Sequence, residues 1–451
     1  MKYFKYSGLR SRRSGMAVAS ACLLAILAGS QPALSQEDSL LETHPSQVAL
    51  KTNIDLNWAL QQTLQKNAAL KTYPYHLRIS DAEILQAGQR PLPTLGLSIE
   101  NVLGGGDYSD TEQAEFTLTL GQTLELGGKR ESRIAVATAA MQQQQSEYEL
   151  TRLDVLAETS RRYYQLLRIQ LLQRWIKKRS QSEQQALGVI QQRASAGAAK
   201  QADVSKMQLR LSRSKAQGLQ LRGQLNLAKA ELARMWLESP GFTTANGNLL
   251  SLPAIPNTTR INESVAELVN KSPLFIRQQT LQRLSDAEVQ LARANGRVNL
   301  DVGVGLRHLE ESGDQALVFD LSMPIAVSNP NRGRIAAAEA NRELSFEQTE
   351  IARSQLQLSL LAIQQTLSNH HQYAGLITNE LLPQARQLLA DIENGFHKGR
   401  YTVLQWVDAQ AELFALEREL IETHTLMYQQ LLELERITGQ TFSPSQQENN
   451  S

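Results

Sequence analysis

The sequence predicts an internally duplicated α+β membrane protein in which short amphipathic strands and very long helices alternate twice along the chain. Three observations carry this. The second half repeats the first: Ser80-Asp81-Ala82-Glu83 returns as Ser285-Asp286-Ala287-Glu288, Arg133-Ile134-Ala135 as Arg334-Ile335-Ala336, and Gly197 as Gly399. A repeat of about two hundred residues is far longer than a solenoid unit and marks a duplicated half-protein. Within each half the apolar period changes from 3.6 to 2 and back again. Finally, aromatic residues make up only 5% of the chain, a composition suited to long helices with narrow apolar seams.

In chain order, residues 1–35 read as a secretory signal. Lys2, Lys5, Arg10, Arg12 and Arg13 form a basic leader, Met16 to Ala28 an apolar run, and Ala33-Leu34-Ser35 a cleavage site before Gln36. The apolar run is too short for a membrane-spanning helix. Ala19-Ser20-Ala21-Cys22 is only faintly like a lipoprotein box, since it lacks the usual leucine and sits too early. Cys22 is the only cysteine, so its removal with the signal leaves no disulfide and no thiolate metal site. The 46 basic and 45 acidic residues of the full chain become an acidic excess once the five leader cations are gone. Nucleic-acid binding therefore has no electrostatic footprint.

Residues 36–53 read as an extended lead-in. The first repeat, 54–238, opens with a helix from Leu56 to Gln89, interrupted at Tyr73-Pro74 and stopped by Pro91-Leu92-Pro93. A β-hairpin over 92–124 follows. Leu95, Leu97 and Ile99 alternate with polar residues, as do Phe116, Leu118 and Leu120, around the loop at Gly104-Gly105-Gly106. Lys129 to Arg193 lacks proline and reads as one helix of roughly 100 Å. The chain turns near 197 and returns from Lys200 to Trp236. The Pro/Gly/Asn-rich stretch 239–260 links the halves.

The second repeat, 261–438, follows the same order. Its hairpin, 297–325, alternates Leu300, Val302, Val304 and Leu306, then Leu317, Phe319 and Leu321. Its long helix runs from Asn331 to His397, with Gly375 and Pro383 as weak points. The tip lies near 399, and a return helix runs from Tyr401 to Ile437. Residues 439–451 read as a disordered tail.

Four strands of about ten residues match the length of tilted membrane strands. They cannot close a barrel, and unpaired edges in hydrocarbon are prohibitively costly. The chain must therefore complete its sheet with copies of itself; two supply 8 strands and three supply 12. Thr94, Ser98, Glu100, Thr117, Thr119, Asn299, Asp301 and Asp320 would line a lumen, while the apolar faces meet lipid. A conduit follows. No nucleophile–base pair, HExxH or P-loop is present, so the chain is not expected to be an enzyme or to hold a cofactor or metal.

The chain from 54 to 440 resembles the TolC-type outer-membrane efflux channels. Leu56 to Leu70, with Ala59-Leu60 and Asn67, is similar to their opening helix, and Ser272-Pro273 to its second copy. Gln122-Thr123-Leu124-Glu125-Leu126-Gly127-Gly128-Lys129-Arg130 resembles the strand-to-helix junction of the heavy-metal branch, the CzcC-like and CusC-like channels. Met323-Pro324-Ile325 and Asn331-Arg332-Gly333 echo it.

The resemblance implies a homotrimer: a 12-stranded transmembrane β-barrel in outer-membrane lipid, four strands per chain, continued by a long periplasmic α-helical barrel. It also implies two partners, a periplasmic adaptor (membrane fusion protein) and an inner-membrane RND pump. The cargo implied is heavy-metal cations, with drugs or secreted proteins as the alternative. Gly197, Lys200, Gly399 and Arg400 match the periplasmic tips that meet the adaptor. Asp203 and Asp408 match acidic tip positions at the pore aperture, and Gln405 stands where a second acid is found. Phe396 and Tyr401 occupy positions that some members use to tie the aperture shut.

Simpler readings exist for several of these residues. An acid in a first helical turn is favoured by the helix dipole whatever its function. His370-His371 and His397 fit solvated surfaces better than metal sites. Leu153, Leu156, Tyr163, Leu167 and Leu171 fit interhelical packing, and Trp58 a membrane interface. The rival class is a soluble periplasmic coiled-coil scaffold whose strands pack on its own helices.

Overall fold

The computed structural model describes residues 52–251, 253, 258–325 and 328–441. The expected signal, its cleavage point, Cys22, the lead-in up to residue 51 and the tail beyond 441 lie outside the described residues.

The first element among the described residues is a two-residue strand, β1 (Asn53–Ile54), followed by helices α1 (Leu56–Lys66), α2 (Ala68–Lys71) and α3 (Tyr73–Ala87). Strands β2 (Thr94–Glu100) and β3 (Glu115–Leu124) lead to α4 (Lys129–Ser195) and the return helix α5 (Gln201–Ala233). After β4 (Thr244–Ala245) the pattern recurs with α6 (Thr258–Lys271), α7 (Pro273–Ala294), β5 (Leu300–Leu309) and β6 (Gln315–Ser322). The second long arm is α8 (Arg332–Leu376), a π-helical turn at Ile377–Leu381, and α9 (Leu382–His397); α10 (Val403–Thr438) returns. No helix among the described residues is long and apolar enough to cross a membrane.

The opening helix breaks earlier than Tyr73-Pro74 suggests. At Asn67 the backbone turns extended (ψ 132°), its Oδ1 accepts from the Ala69 N–H, and its Nδ2 donates to the Met235 carbonyl at 2.9 Å. Pro74 then sits in the first turn of α3, where a missing N–H costs little. The second repeat makes the same tie with different chemistry. Ser272 is fully buried, donates from Oγ to the Ile437 carbonyl at 2.6 Å, and is followed by Pro273 at the start of α7.

Pro383 also has a structural counterpart. A proline removes one helical hydrogen bond and crowds the preceding turn, and the π-helical turn directly before it absorbs that misfit. The first arm has no proline and runs as one 67-residue helix.

Within the chain the long helices pack in the order α5, α4, α10, α8, with α7 lying on α4 and α8 and α3 on α4. Such helices are held by packing along their seams more than by intrinsic propensity. Instead of one core, four small apolar clusters of described residues are strung along them. One joins Ile54, Tyr163, Leu166, Leu232, Trp236 and Leu249; a second joins Leu172, Trp175, Leu221 and Phe414. A third lies at the tips, and a fourth links α6, α7, α8 and α10 through Val269, Phe275, Leu360 and Leu434. Trp58 lies edge-on to Trp236 at 5.5 Å, beside the first cluster.

That first cluster is closed by a feature the hydropathy pattern did not announce. β1 pairs in parallel with β4, joining the lead-in to the inter-repeat stretch. The buried Tyr163 hydroxyl donates to the carbonyls of Ile54 and Asn246, so α4 is tied to both segments.

Candidate functional site

Two regions carry the features that bear on function: the four-stranded sheet and the helical tips. The sheet has the order β2-β3-β5-β6, antiparallel throughout. Cross-strand partners share a face, so the register assigns every side chain. Ser98 pairs with Thr117 and Thr117 with Arg307; Thr123 pairs with Asp301, and Gly303 with Asp320. Thr94, Ser98, Glu100, Thr117, Thr119, Asp301 and Asp320 therefore lie on one face. Asn299, just before β5, accepts a hydrogen bond from Lys129 Nζ.

The opposite face is apolar and open. Leu97 pairs with Leu118, Leu118 with Leu306, and Leu306 with Leu317. Leu95, Phe319 and Leu321 are each more than 70% exposed, and Leu118 is 50% exposed. Among the described residues this face is not covered by the chain's own helices. The sheet's edges, β2 and β6, have no further strand beside them among the described residues.

On the polar face one side chain organises the others. Arg307 donates from Nε to Thr117 Oγ1 at 3.0 Å and from Nη1 to Glu115 Oε2 at 2.7 Å, with Nη2 3.4 Å from Glu100 Oε2. Thr117, expected as an open lumen residue, is only 5% exposed beneath this network. At the other end of the strands, Thr123 Oγ1 donates to Asp301 Oδ1.

The junction motif after β3 is a mechanical joint. Gly127 and Gly128 both have positive φ and turn the chain from strand into α4. Arg133 then forks onto both Glu125 oxygens, at 2.5 and 2.8 Å, and also donates to the carbonyls of Ala87 and Gln89. Arg130 donates to the Gly88 carbonyl at 2.6 Å. Two cations thus satisfy the carbonyl end of α3, where the helix dipole favours positive charge, and weld α3 to α4. The second junction uses Asn331, which donates to the Ala292 carbonyl.

At the far end of the long helices the two repeats form matching turns. Gly197 (φ 75°) and Gly399 (φ 77°) both take the left-handed conformation. The N–H after each reaches back to the carbonyl five residues earlier, Ala198 to Arg193 and Arg400 to Gly395, each at 2.7 Å. This is the glycine-terminated helix end that a side chain with Cβ disfavours. Beneath the turns pack Leu187, Ile190, Val204, Met207, Val403 and Val407. Phe396 stacks on Trp406 at 5.5 Å with the Arg193 guanidinium 4.0 Å from its ring centroid, and Tyr401 lies against Gly395.

The expected tip residues occupy distinct environments. Lys200 and Arg400 are exposed. Asp203 sits in the first turn of α5. Gln405 is engaged: its Oε1 accepts from the Thr402 N–H at 2.8 Å, while Thr402 Oγ1 accepts from the Gln405 N–H, a reciprocal helix cap. Asp408 Oδ1 accepts from Arg210 Nη2 at 2.7 Å, across from α10 to α5.

Arg210 and Arg307 escaped the sequence reading. Arg307 was findable, since it continues the odd-numbered polar parity of β5. Arg210 gives no local signal beyond lying two helical turns after Asp203. Among the described residues, no group of three or more His, Cys, Asp or Glu is placed to hold a metal ion.

Comparison with known proteins converges on one family. Residues 59–236 match the family described as outer membrane efflux protein. The sequence is 25% identical over 416 residues, 90% of this chain and 95% of the relative, to the cobalt-zinc-cadmium resistance protein CzcC of Cupriavidus metallidurans. The solved outer membrane protein VceC of Vibrio cholerae is 19% identical and superposes with a TM-score of 0.71 over 86% of this chain and 97% of that one. CusC, studied for conformational changes accompanying folding and transmembrane channel formation, is 13% identical with a TM-score of 0.68 over 85% and 91% of the two chains. At those identities the structural likeness speaks for the fold alone. Residues 59–236 thus match the outer membrane efflux protein family in sequence, and most of the chain is similar in fold to the solved VceC and CusC.

Proposed function

We propose that three copies of this chain form the passive exit duct of a tripartite efflux system. Four strands from each copy close a 12-stranded barrel in outer-membrane lipid, and the long helices continue it as a tube through the periplasm. The observation that carries this is the sheet itself: an exposed apolar face, an opposite polar face and two edges unpaired among the described residues. Apolar strand faces of this size have no partner in water, and open edges have none in lipid, so closure by sister chains satisfies both requirements. A soluble scaffold would bury those faces on its own helices.

In this reading Thr117, Thr119, Asp301 and Asp320 lie along the barrel lumen. Asp203, Gln405 and Asp408 surround the periplasmic aperture. Gly197, Lys200, Gly399 and Arg400 form the tips that dock a periplasmic adaptor, and an inner-membrane RND pump supplies the energy. The cargo is heavy-metal cations, a reading supported by the similarity to a protein named for cobalt, zinc and cadmium resistance. The resemblance of the Leu124–Arg130 junction to the heavy-metal branch supports the same choice.

Extraction and reconstitution test the duct. Detergent-solubilised trimers that conduct in planar bilayers are expected; a folded, water-soluble, non-conducting monomer would refute it. A deletion strain sensitised to zinc, cobalt or cadmium but not to drugs is the expected cargo result, and the reverse would move the protein to drug export.

A further inference from the structure

The polar face of the sheet carries four carboxylates, Glu100, Glu115, Asp301 and Asp320, and a single cation, Arg307. Their distribution along the strands is uneven. Glu100, Glu115 and Arg307 lie at the end closed by the loops 101–114 and 310–314, while Asp301 and Asp320 lie where the strands run into helices. At the loop end the guanidinium spans three strands, fixed by Thr117 and by both glutamates. At the helix end neither aspartate pairs with a cation among the described residues.

We propose that Arg307 is a specificity-determining residue that offsets one of the two wall carboxylates at the loop end of the strands, so that the strand wall itself is more acidic at the helix end. This rests on the channel reading above. Fixed charges on the wall of a narrow aqueous lumen set the local concentration of permeant ions. Conduction also requires that binding at the exit be weak enough for the ion to leave. A cation drawn along by Asp301 and Asp320 then passes, before it reaches the acidic loops, a pair of wall carboxylates already carrying an internal cation. Arg307 acts as a built-in counter-ion that promotes release.

The test is single-channel recording of the full-length channel in planar bilayers under a KCl gradient, with MgCl2 added to either side. Arg307→Gln is expected to raise the potassium-to-chloride permeability ratio about twofold or more and to strengthen magnesium block from the extracellular side. Glu100→Gln should shift the ratio in the opposite direction. Arg307→Lys keeps the charge but loses the fork, so it should retain the wild-type ratio whatever it does to thermal stability. A conducting wild type with an unchanged ratio in Arg307→Gln would overturn the proposal and leave the channel reading standing. So would an Arg307→Lys channel that behaves like Arg307→Gln, because the residue would then act through packing alone. If Arg307→Gln yields no trimers, the opposite shift of Glu100→Gln and the retained ratio of Arg307→Lys carry the test. A wild type that forms no conducting trimer would remove the channel reading and this inference together.

Discussion

Replacing Leu118 with arginine tests the assignment of the two sheet faces at its most central point. Leu118 lies in the middle of β3, paired with Leu97 on one side and Leu306 on the other, with Phe116 and Leu120 on the same face of its own strand. Within the chain it is 50% exposed, so Leu118→Arg creates no clash in the isolated protomer. Its cost arises only in lipid. Arginine on the lipid face of a barrel at mid-membrane costs about 2–4 kcal/mol. At 1.4 kcal/mol per factor of ten, that is roughly 30- to 700-fold in the insertion equilibrium for each chain. In a trimer the three sites are separate and their costs add. The matched control is Ser98→Arg, on the polar face beside Thr117 and one residue from Leu97. The assay is the fraction of protein recovered from outer membranes as trimers on unheated gels, with urea unfolding from lipid vesicles as the quantitative readout. Loss for Leu118→Arg with little change for Ser98→Arg is expected. Equal losses, or a larger loss for Ser98→Arg, would show that the faces have been assigned the wrong way round.

Further predictions concern the helices. Leu237 ends the first return helix with φ 60°, the conformation that Gly439 takes at φ 68° in the second repeat. Because Leu237 is 62% exposed, Leu237→Gly should relieve left-handed strain and stabilise the protein by about 1 kcal/mol, read as a raised Tm; an unchanged or lowered Tm would count against this. At the tips, Arg210→Ala should free a carboxylate in every chain and increase divalent-cation block, while costing under about 1 kcal/mol because the Asp408 partner is largely exposed. Block identical to wild type would remove Asp408 from the aperture. Gln405→Glu should keep the helix cap, since glutamate serves that position equally well, and add a charge at the tip; circular dichroism should be unchanged and block stronger.

His424 makes stability depend on pH. Burial lowers its pKa, only partly offset by the bond from Nδ1 to the Leu249 carbonyl, and His371 lowers it further. Its Nε2 is buried without a partner, so protonation would leave a charged donor unsatisfied. The unfolded chain then takes up the proton more readily. Stability is intact above the ordinary histidine value near 6.5 and falls as pH drops below it, by up to about 1.4 kcal/mol per pH unit. His424→Asn, whose amide can still donate to Leu249, should flatten that slope in thermal melts between about pH 6.5 and 5; an unchanged slope would assign the acid sensitivity elsewhere.

What was legible in the sequence was local. Alternation with period 2 puts Leu118 and Thr117 on opposite faces of a strand whatever the strand pairs with, and the cross-strand register agrees with that parity from Thr94 to Ser322. The glycines at 197 and 399 announce tight turns because few other residues tolerate positive φ. The edge-strand argument is equally local, because four strands cannot satisfy their own edges.

What only the tertiary structure decided was each side chain's partner across the chain. Arg210 meets Asp408 across 198 residues, Arg307 meets Glu115 across 192, and Tyr163 ties Ile54 across 109. The two-residue pairing of β1 with β4 is too short to show any period. Asn67 and Ser272 end their helices by reaching different carbonyls with different atoms. Periodicity records which way a side chain points relative to its own backbone, and that is set by local torsion angles. Which groups then neutralise, cap or cover one another depends on how distant segments pack, and for that a single chain's pattern holds no period to read.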